Sequence, residues 1–280
     1  MISMTPDPVP GSAYQYEVTN ETGISIEADQ KDVINESRSE VAMNYSIVKD
    51  SVVNFIFTTT YDKILIRTKT NDNETVADAD KASGSFDPVE RMLGILKSAR
   101  IDATVTPQGV VRHVAGFKEL EEKLMANFPS DEHFSRNMAK AQWEKIVGNG
   151  LVKNTMNQLF RIFPDSAIHI GDTWKLDSRQ EGELPLNIKA TYTLKAINND
   201  IAIISSEGVL ATDARTNLLG MTGATGDLKG QQRGEFEIET KTGMMINSKI
   251  TASLEGDLRV MGKIMPVKIK SSVKMTGRRK

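Results

Sequence analysis

The sequence predicts an α+β protein, in which a large, curved, half-barrel-like antiparallel β-sheet carries a central helical insertion packed on its apolar, concave face. Apolar and polar residues alternate through residues 13–70 and 173–277, as expected of strands with one covered and one wet face. Residues 86–163 place apolar residues mainly at helical spacing. Long alternating strands joined by tight turns favour an antiparallel sheet, and the helical segment can cover its apolar face.

The N-terminal part divides into a linker and a first set of strands. Residues 1–12 are polar and Pro-rich, so we expect a flexible linker, followed by a single α+β domain over residues 13–280. Residues 71–85 are polar and acidic and are predicted to be a loop. The apolar positions of the first strands are Tyr14, Tyr16, Val18, Val41, Met43, Tyr45, Ile47, Val53, Phe55, Phe57, Tyr61, Ile64 and Ile66.

The central part, residues 86–163, is predicted to be mainly helical with a short hairpin. Asp87 can cap the first helix, Pro88 fits its first position, and Glu90 stands where a capping box requires it. A turn at 107–109 marks the hairpin. The apolar helical positions are Val89, Met92, Leu93, Leu96, Phe117, Leu120, Leu124, Phe128, Phe134, Met138, Trp143, Met156, Leu159, Phe160 and Phe163.

The C-terminal part returns to strands from Thr173 onwards. A turn at Asn198-Asn199-Asp200 separates two of them, and Thr242-Gly243 marks another hairpin. The apolar alternating positions include Leu186, Ile188, Tyr192, Leu194, Phe236, Ile238, Met244, Ile250, Leu254, Leu258, Val267, Ile269, Val273 and Met275.

Composition narrows the classes of function. With 35 basic and 37 acidic side chains, the net charge of −2 gives no electrostatic reason to expect nucleic acid or an anionic membrane surface as the main partner. The absence of cysteine excludes disulfides, thiolate metal sites and a cysteine nucleophile. No stretch approaches the ~18 apolar residues of a transmembrane segment. We expect no cofactor.

No catalytic or metal-binding signature is present. His113, His133 and His169 lie far apart, and none has the spacing of a metal-binding motif. Carboxylates such as those of Glu235, Glu237 and Glu239 alternate with apolar residues, so their position on a solvent-exposed sheet face accounts for them without a catalytic role. We therefore expect a protein that is not an enzyme, while a hydrolase site assembled in space from distant carboxylates or histidines stays open as an alternative.

The methionines provide the candidates for ligand binding. Methionine fills irregular apolar space and also lines adaptable binding surfaces. The candidate ligand-binding residues are Met138, Trp143, Met156 and Met221. Membership of an ordinary core is the competing interpretation of the same residues.

The stretch from Phe160 to Trp174, "FRIFPDSAIHIGDTW", resembles the signature of a bacterial family of unknown function, common in Bacteroidetes and often exported as lipoproteins. Further stretches resemble the same family in order, including "ATVTPQGVVRHVAG", "LPLNIKATYTL" and "MPVKIKSSVKMTG". The resemblance implies a periplasmic or outer-membrane-associated location, with the export signal absent from this chain. It implies no catalytic residues, and the sequence leaves a cytoplasmic location open.

Three functions follow as hypotheses. The first is an envelope protein that binds a lipid or other apolar ligand, or a protein partner, between sheet and helices, as periplasmic lipoprotein carriers do in a similar fold. The second is a structural or interaction module with a fully packed core. The third is the hydrolase. Within the family stretch, Pro164 is predicted to end the helical part and Trp174 to anchor it to the following strand.

Overall fold

The computed structural model describes residues 7–28, 31–50, 54–126, 140, 143, 155–156, 159–160, 162–164, 166–180, 184–212 and 224–280. Of these residues, 66% lie in strands and 13% are helical. The strands form one twelve-stranded antiparallel sheet that is not closed. The prediction of an α+β fold with a central helical insertion is therefore wrong, because the described part of the chain is a β-sheet protein with two helices.

The strands are unusually long for a globular protein, in which five or six residues are typical. β2 has 19 residues and β12 has 17. The two helices, α1 and α2, have 10 residues each. In chain order the elements are β1 (Ala13–Ala28), β2 (Lys31–Lys49), β3 (Phe55–Thr70), β4 (Asn73–Asp78), α1 (Pro88–Lys97), β5 (Ile101–Val105), β6 (Val111–Ala115), α2 (Phe117–Ala126), β7 (Thr173–Gln180), β8 (Leu186–Asn198), β9 (Ile201–Thr212), β10 (Thr225–Glu239), β11 (Met245–Val260) and β12 (Lys263–Arg279).

The sheet is a meander whose two halves meet at the chain's first and last strands. Its order is β6-β5-β3-β2-β1-β12-β11-β10-β9-β8-β7, with β4 attached to β3. β1 pairs with β12 from Tyr14 opposite Arg279 to Ile26 opposite Val267. Long-range pairing between the two ends of the chain thus joins the N-terminal and C-terminal strands into one surface.

Two local expectations are also corrected. Residues 73–78, within the predicted loop, form β4 because they pair with the outer end of β3. At the start of α1, Asp87 caps as predicted, since its carboxylate accepts from the Val89 amide at 2.7 Å. Glu90 does not complete a capping box, because it accepts instead from the Ser85 hydroxyl at 2.6 Å and the Asp78 amide. The division into a linker over 1–12 and one domain stays a prediction.

The inward sheet face carries two separate groups of buried apolar side chains. The larger group, here called the aromatic cluster, lies where α1, α2 and the helical residues 155–156 and 159–160 contact the sheet. The smaller, here called the aliphatic cluster, lies further along β8–β12. The largest fully buried members of the aromatic cluster are Tyr16, Tyr45, Ile47, Phe57, Met92, Leu93, Ile101, Leu124, Met156, Leu159 and Phe160. The aliphatic cluster comprises Leu186, Leu210, Ala224, Leu228, Leu254, Leu258, Val267 and Ile269.

Ring contacts connect the sheet to the segment before β7. Tyr16, Tyr45 and Phe57 stand edge to face across β1, β2 and β3, with centroids 5.5 and 6.0 Å apart. Phe57 then contacts Phe160 at 4.9 Å. Such pairs add about 0.5–1.5 kcal/mol each beyond their buried area. The segment that carries Phe160 is thereby fixed to the N-terminal half of the sheet.

Trp174 fixes the same segment to the C-terminal half. Its indole Nε1–H donates to the Ile162 carbonyl at 2.9 Å, and its ring stacks on Tyr192 with centroids 5.7 Å apart. The preceding turn is held by the Gly171 amide, which donates to the Leu194 carbonyl at 2.8 Å. These contacts confirm the anchoring role predicted for Trp174 and explain why the "GDTW" residues occur together.

Candidate functional site

A cavity of about 350 Å³ lies on the inward face of the sheet, between the aromatic and aliphatic clusters. Its volume falls within the range typical of small-molecule sites. The apolar wall comes from both clusters and from the segment before β7. Its main apolar lining residues are Ile162, Leu186, Tyr192, Phe236, Leu254 and Ile269.

The cavity exists because the sheet is strongly curled. Thr22 on β1 and Ser178 on β7 both line it, although six strand-to-strand steps separate them. In a flat sheet, six steps of about 4.8 Å would place these strands about 29 Å apart. A cavity of about 350 Å³ can touch both only if the sheet bends around it.

Glycine on β10 permits part of this bending. Gly230 lies opposite Leu254 on β11 and Leu210 on β9. A Cβ atom at Gly230 would lie 1.8 Å from the Ser253 carbonyl oxygen. No side chain fits there, so glycine allows β10 and β11 to approach closely at the middle of the C-terminal half.

The space itself follows from a row across the sheet in which all residues but Gln232 are small. The strand registers place Thr22, Ser271, Ala252 and Gln232 side by side on β1, β12, β11 and β10, followed by Gly208 on β9. The neighbouring row on the aliphatic side instead carries Ile24, Ile269, Leu254, Leu210 and Ile188, interrupted by Gly230. Because Thr22, Ser271 and Ala252 are shorter than the residues of this aliphatic-side row, they leave the cavity floor beside it unfilled.

The described cavity lining carries few ionisable side chains. Among the described lining residues there is no carboxylate and no imidazole, and Arg179 is the one charged residue. Burial raises the pKa of Tyr192 to about 12, so its phenol stays neutral well into alkaline pH. Asn20 and Arg179 are exposed and mark where the cavity reaches solvent. This arrangement can hold an apolar body with a polar end at the rim.

The predicted ligand-binding residues do not line this cavity where the structure describes them. Trp143 and Met156 are 2% and 0% exposed and belong to the aromatic cluster. Met138 and Met221 lie outside the described residues. A ligand role for these four residues stays a prediction. The lining residues were visible in the sequence only as alternating strand positions, and no local motif distinguishes them.

The two described histidines, His113 and His169, are not brought together with acids in a cleft. His169 Nδ1 lies 3.5 Å from Asp172 Oδ2 in an exposed turn, and His113 is exposed on β6. His133 lies outside the described residues. Within the described ranges, no three His, Asp or Glu side chains converge as metal ligands would.

Family membership is decided by a match that covers more than half of the sequence. The model of a family of unknown function, DUF6263, matches residues 53–245, which include the stretch from Phe160 to Trp174. The chain belongs to the DUF6263 family. The resemblance is thereby confirmed at the level of a family of unknown function. No curated protein matches this DUF6263 member in a sequence search.

Solved structures show a related fold. A structure describing lipid–protein interactions in lipovitellin aligns with this DUF6263 chain with a TM-score of 0.57, 10% sequence identity and 96% of the chain covered. The chain spans 25% of the lipovitellin chain. At this identity the likeness shows the fold alone.

Two outer-membrane proteins also align, at lower scores. The outer membrane protein OprG from Pseudomonas aeruginosa gives a TM-score of 0.24 at 7% identity, covering 98% of both chains. An outer membrane channel from Pseudomonas putida F1 gives 0.25 at 6% identity, covering 98% of this chain and 97% of that one. These scores are too low to support a shared fold. In the described part of the chain, no helix has the length and apolar composition needed to cross a membrane.

Proposed function

We propose that this DUF6263 protein binds an apolar ligand, a lipid or a single acyl chain, in the cavity between the aromatic and aliphatic clusters. We further propose that it is not an enzyme and that it acts in the envelope of a bacterium, in the periplasm or at the outer membrane. The cavity carries the first part of this proposal. The location is supported by the resemblance of "FRIFPDSAIHIGDTW" to exported bacterial proteins.

The character of the walls supports an apolar ligand. Leu186, Leu254 and Ile269 on one side face Tyr192 and Phe236 on the other. Each methylene group transferred from water onto such walls contributes about 0.8 kcal/mol. An acyl chain is a row of methylene groups, so it gains affinity from the cavity without requiring a precisely placed polar partner.

The rim supports a polar end that is neutral or anionic. Arg179 is the one charged residue among the described lining residues, and Asn20, Gln180 and Gln232 add hydrogen-bonding groups. A carboxylate or a phosphate at the rim would meet no like charge from the described lining. A cationic end would meet Arg179 and no compensating acid there.

The fold likeness to lipovitellin adds support of a weaker kind. Lipovitellin is a protein for which lipid–protein interactions have been described, and a sheet like the present one occurs in it. A fold can host unrelated functions, so the cavity and not the likeness carries the proposal. The alternative of a fully packed interaction module is disfavoured by a cavity of about 350 Å³.

Mass spectrometry tests the proposal directly. The protein is purified without detergent, analysed under native conditions, and extracted with organic solvent to identify bound molecules. We expect a fatty acid or another lipid bound in a ratio near one, or taken up when oleic acid is added. A protein that carries no apolar molecule and takes up none would overturn the proposal.

Ala252→Leu supplies the matched blocking variant, because Ala252 lies in the row of small residues that forms the cavity floor. Ser253→Leu, the next residue on the same strand, places the same side chain on the exposed outer face. Ala252→Leu is expected to lose the ligand and Ser253→Leu to keep it. Equal retention by both variants would show that the ligand lies elsewhere.

A further inference from the structure

A buried hydroxyl group beside the cavity has no hydrogen-bond partner. Ser206 on β9 is 4% exposed, and its Oγ is paired with no donor or acceptor in the described part of the chain. Thr212, on the same face of the same strand, is satisfied, because its hydroxyl accepts from the Leu228 amide at 2.9 Å and donates to the Gly226 carbonyl at 3.2 Å. An unpaired buried hydroxyl is unfavourable, so the position of Ser206 requires an explanation.

Ser206 lies directly behind the cavity wall. The strand register places it between Tyr192 on β8 and Gly234 on β10. Tyr192 and Phe236 both line the cavity, and their ring centroids are 6.0 Å apart. A Cβ atom at Gly234 would lie 2.6 Å from Ser206 Oγ and 2.7 Å from the Phe236 ring. The Phe236 ring therefore occupies the space above Gly234, beside the hydroxyl.

The other unpaired polar atoms in the described residues lie elsewhere. Besides Ser206 Oγ, the buried side-chain atoms without a partner are Tyr14 Oη, Asn44 Oδ1 and Thr59 Oγ1. None of these three residues lines the cavity, and none is paired in the sheet with a residue that does. Among the described residues, Ser206 alone combines a missing partner with a place next to the cavity.

The surroundings of Ser206 favour an uncharged partner. Tyr192 and Gly234, its neighbours across the sheet, carry no charge near neutral pH, and Glu207 is exposed on the outer face. A carboxylate or phosphate moved to this place would lose its water without meeting a cation, which is costly. A hydroxyl or an ester carbonyl loses much less and can accept a hydrogen bond from the serine.

We propose that Ser206 recognises a neutral oxygen atom, a hydroxyl or an ester carbonyl, carried by the apolar ligand. The proposal rests on the ligand cavity proposed above and adds a specificity-determining residue to it. When the ligand enters, the Phe236 ring turns away from Gly234 and the Ser206 hydroxyl donates to the ligand oxygen. Because the hydroxyl is unpaired in the free protein, this pairing favours lipids that carry such an oxygen over plain hydrocarbons.

Displacement of bound cis-parinaric acid by 1-dodecanol, methyl laurate and dodecane tests the proposal, after the affinity of each variant for cis-parinaric acid has been measured. Ser206→Ala should weaken binding of 1-dodecanol or methyl laurate about fivefold, as expected for the loss of one neutral hydrogen bond. Binding of dodecane, which has no oxygen, should not change. The melting temperature of the ligand-free variant should rise, because it no longer buries an unpaired hydroxyl.

Ser205→Ala is the matched control, because it removes the same hydroxyl from the opposite face of β9. It should change the affinity for none of the three probes. If Ser206→Ala weakens dodecane binding equally, leaves all three affinities unchanged or lowers the melting temperature, the role of Ser206 is refuted and the ligand cavity stands. If the wild type binds none of the probes, the ligand cavity itself is refuted, and the role of Ser206 with it.

Discussion

The aromatic and aliphatic clusters occupy the same face of one sheet but are built differently. The aromatic cluster is covered by α1, α2 and the segment that carries Phe160, and its rings contact one another across strands. The aliphatic cluster contains no aromatic residue in the described part of the chain and borders the cavity. The first region is organised for packing, and the second leaves space. Stability and ligand binding are therefore expected to depend mainly on different regions of the inward sheet face.

The largest effect should come from Phe160→Ala. Phe160 is 1% exposed and contacts Phe57, so removing its ring leaves a cavity under the covering segment. The free energy of unfolding should therefore fall by about 3–5 kcal/mol. Thermal unfolding followed by circular dichroism measures it, at about 2–4 °C per kcal/mol for a chain of this size.

Leu254→Ala is the matched test in the aliphatic cluster. Leu254 is 5% exposed but already borders the cavity. Its truncation to alanine should therefore lower the free energy of unfolding by an amount near the lower end of the roughly 2–5 kcal/mol range for buried leucine. A larger loss for Leu254→Ala than for Phe160→Ala would reverse the proposed division between packing and binding.

The next largest loss of stability should come from alkaline pH, which ionises the tyrosines of the aromatic cluster. Burial raises the pKa of Tyr192 to about 12 and also raises the pKa values of Tyr16, Tyr45 and Tyr61. An unfolded tyrosine has a pKa near 10, so the folded state favours the neutral phenol. The stability from this difference is fully present below about pH 10 and is lost as the pH rises towards 12.

Tyr192 alone should account for about 2–3 kcal/mol of this loss, at about 1.4 kcal/mol for each pH unit between the two pKa values. Urea unfolding across this pH range measures the loss, and Tyr192→Phe should make the decline shallower. An unchanged decline would mean that Tyr192 titrates as readily in the folded protein as in the unfolded chain.

A smaller effect is expected from Trp174→Phe. The substitution keeps an aromatic ring beside Tyr192 but removes the 2.9 Å hydrogen bond to the Ile162 carbonyl. We expect a loss of about 1 kcal/mol, visible as a lowered urea midpoint with an unchanged slope. Trp174→Ala, which removes the ring as well, should exceed it clearly. Equal effects would show that the ring contact with Tyr192 contributes nothing.

The sequence predicted the strands well but overestimated the share of helix in the fold. Alternation revealed that β8, β11 and β12 have one apolar face, because the period of two is a local property. It did not reveal how far β1 and β12 pair, because these partners are distant in the chain. Residues 73–78 pair with β3 across the tight turn at 71–72, but their polar and acidic composition gave no apolar alternation from which this local hairpin could be recognised. The capping prediction at Asp87 held for the same local reason.

The cavity could not be predicted because it depends on register. Thr22, Ser271, Ala252 and Gln232 are separated by up to 249 positions, and only the pairing of β1, β12, β11 and β10 places them in one row. A small residue within a single strand does not indicate which residues of other strands will lie beside it, so it does not predict a cavity. Of the four predicted ligand-binding residues, Trp143 and Met156 lie in the buried aromatic cluster, Met138 and Met221 lie outside the described residues, and their role in binding stays a prediction.

Titration with cis-parinaric acid, whose fluorescence rises in an apolar site, tests the central claim most directly. It compares the wild type, Ala252→Leu and Phe160→Ala at a temperature where all three are folded. We predict saturable binding by the wild type, its loss in Ala252→Leu with little change in stability, and retained binding in the less stable Phe160→Ala. Undiminished binding by Ala252→Leu, or no binding by the wild type, would contradict the assignment of ligand binding to the row of small residues between the two clusters.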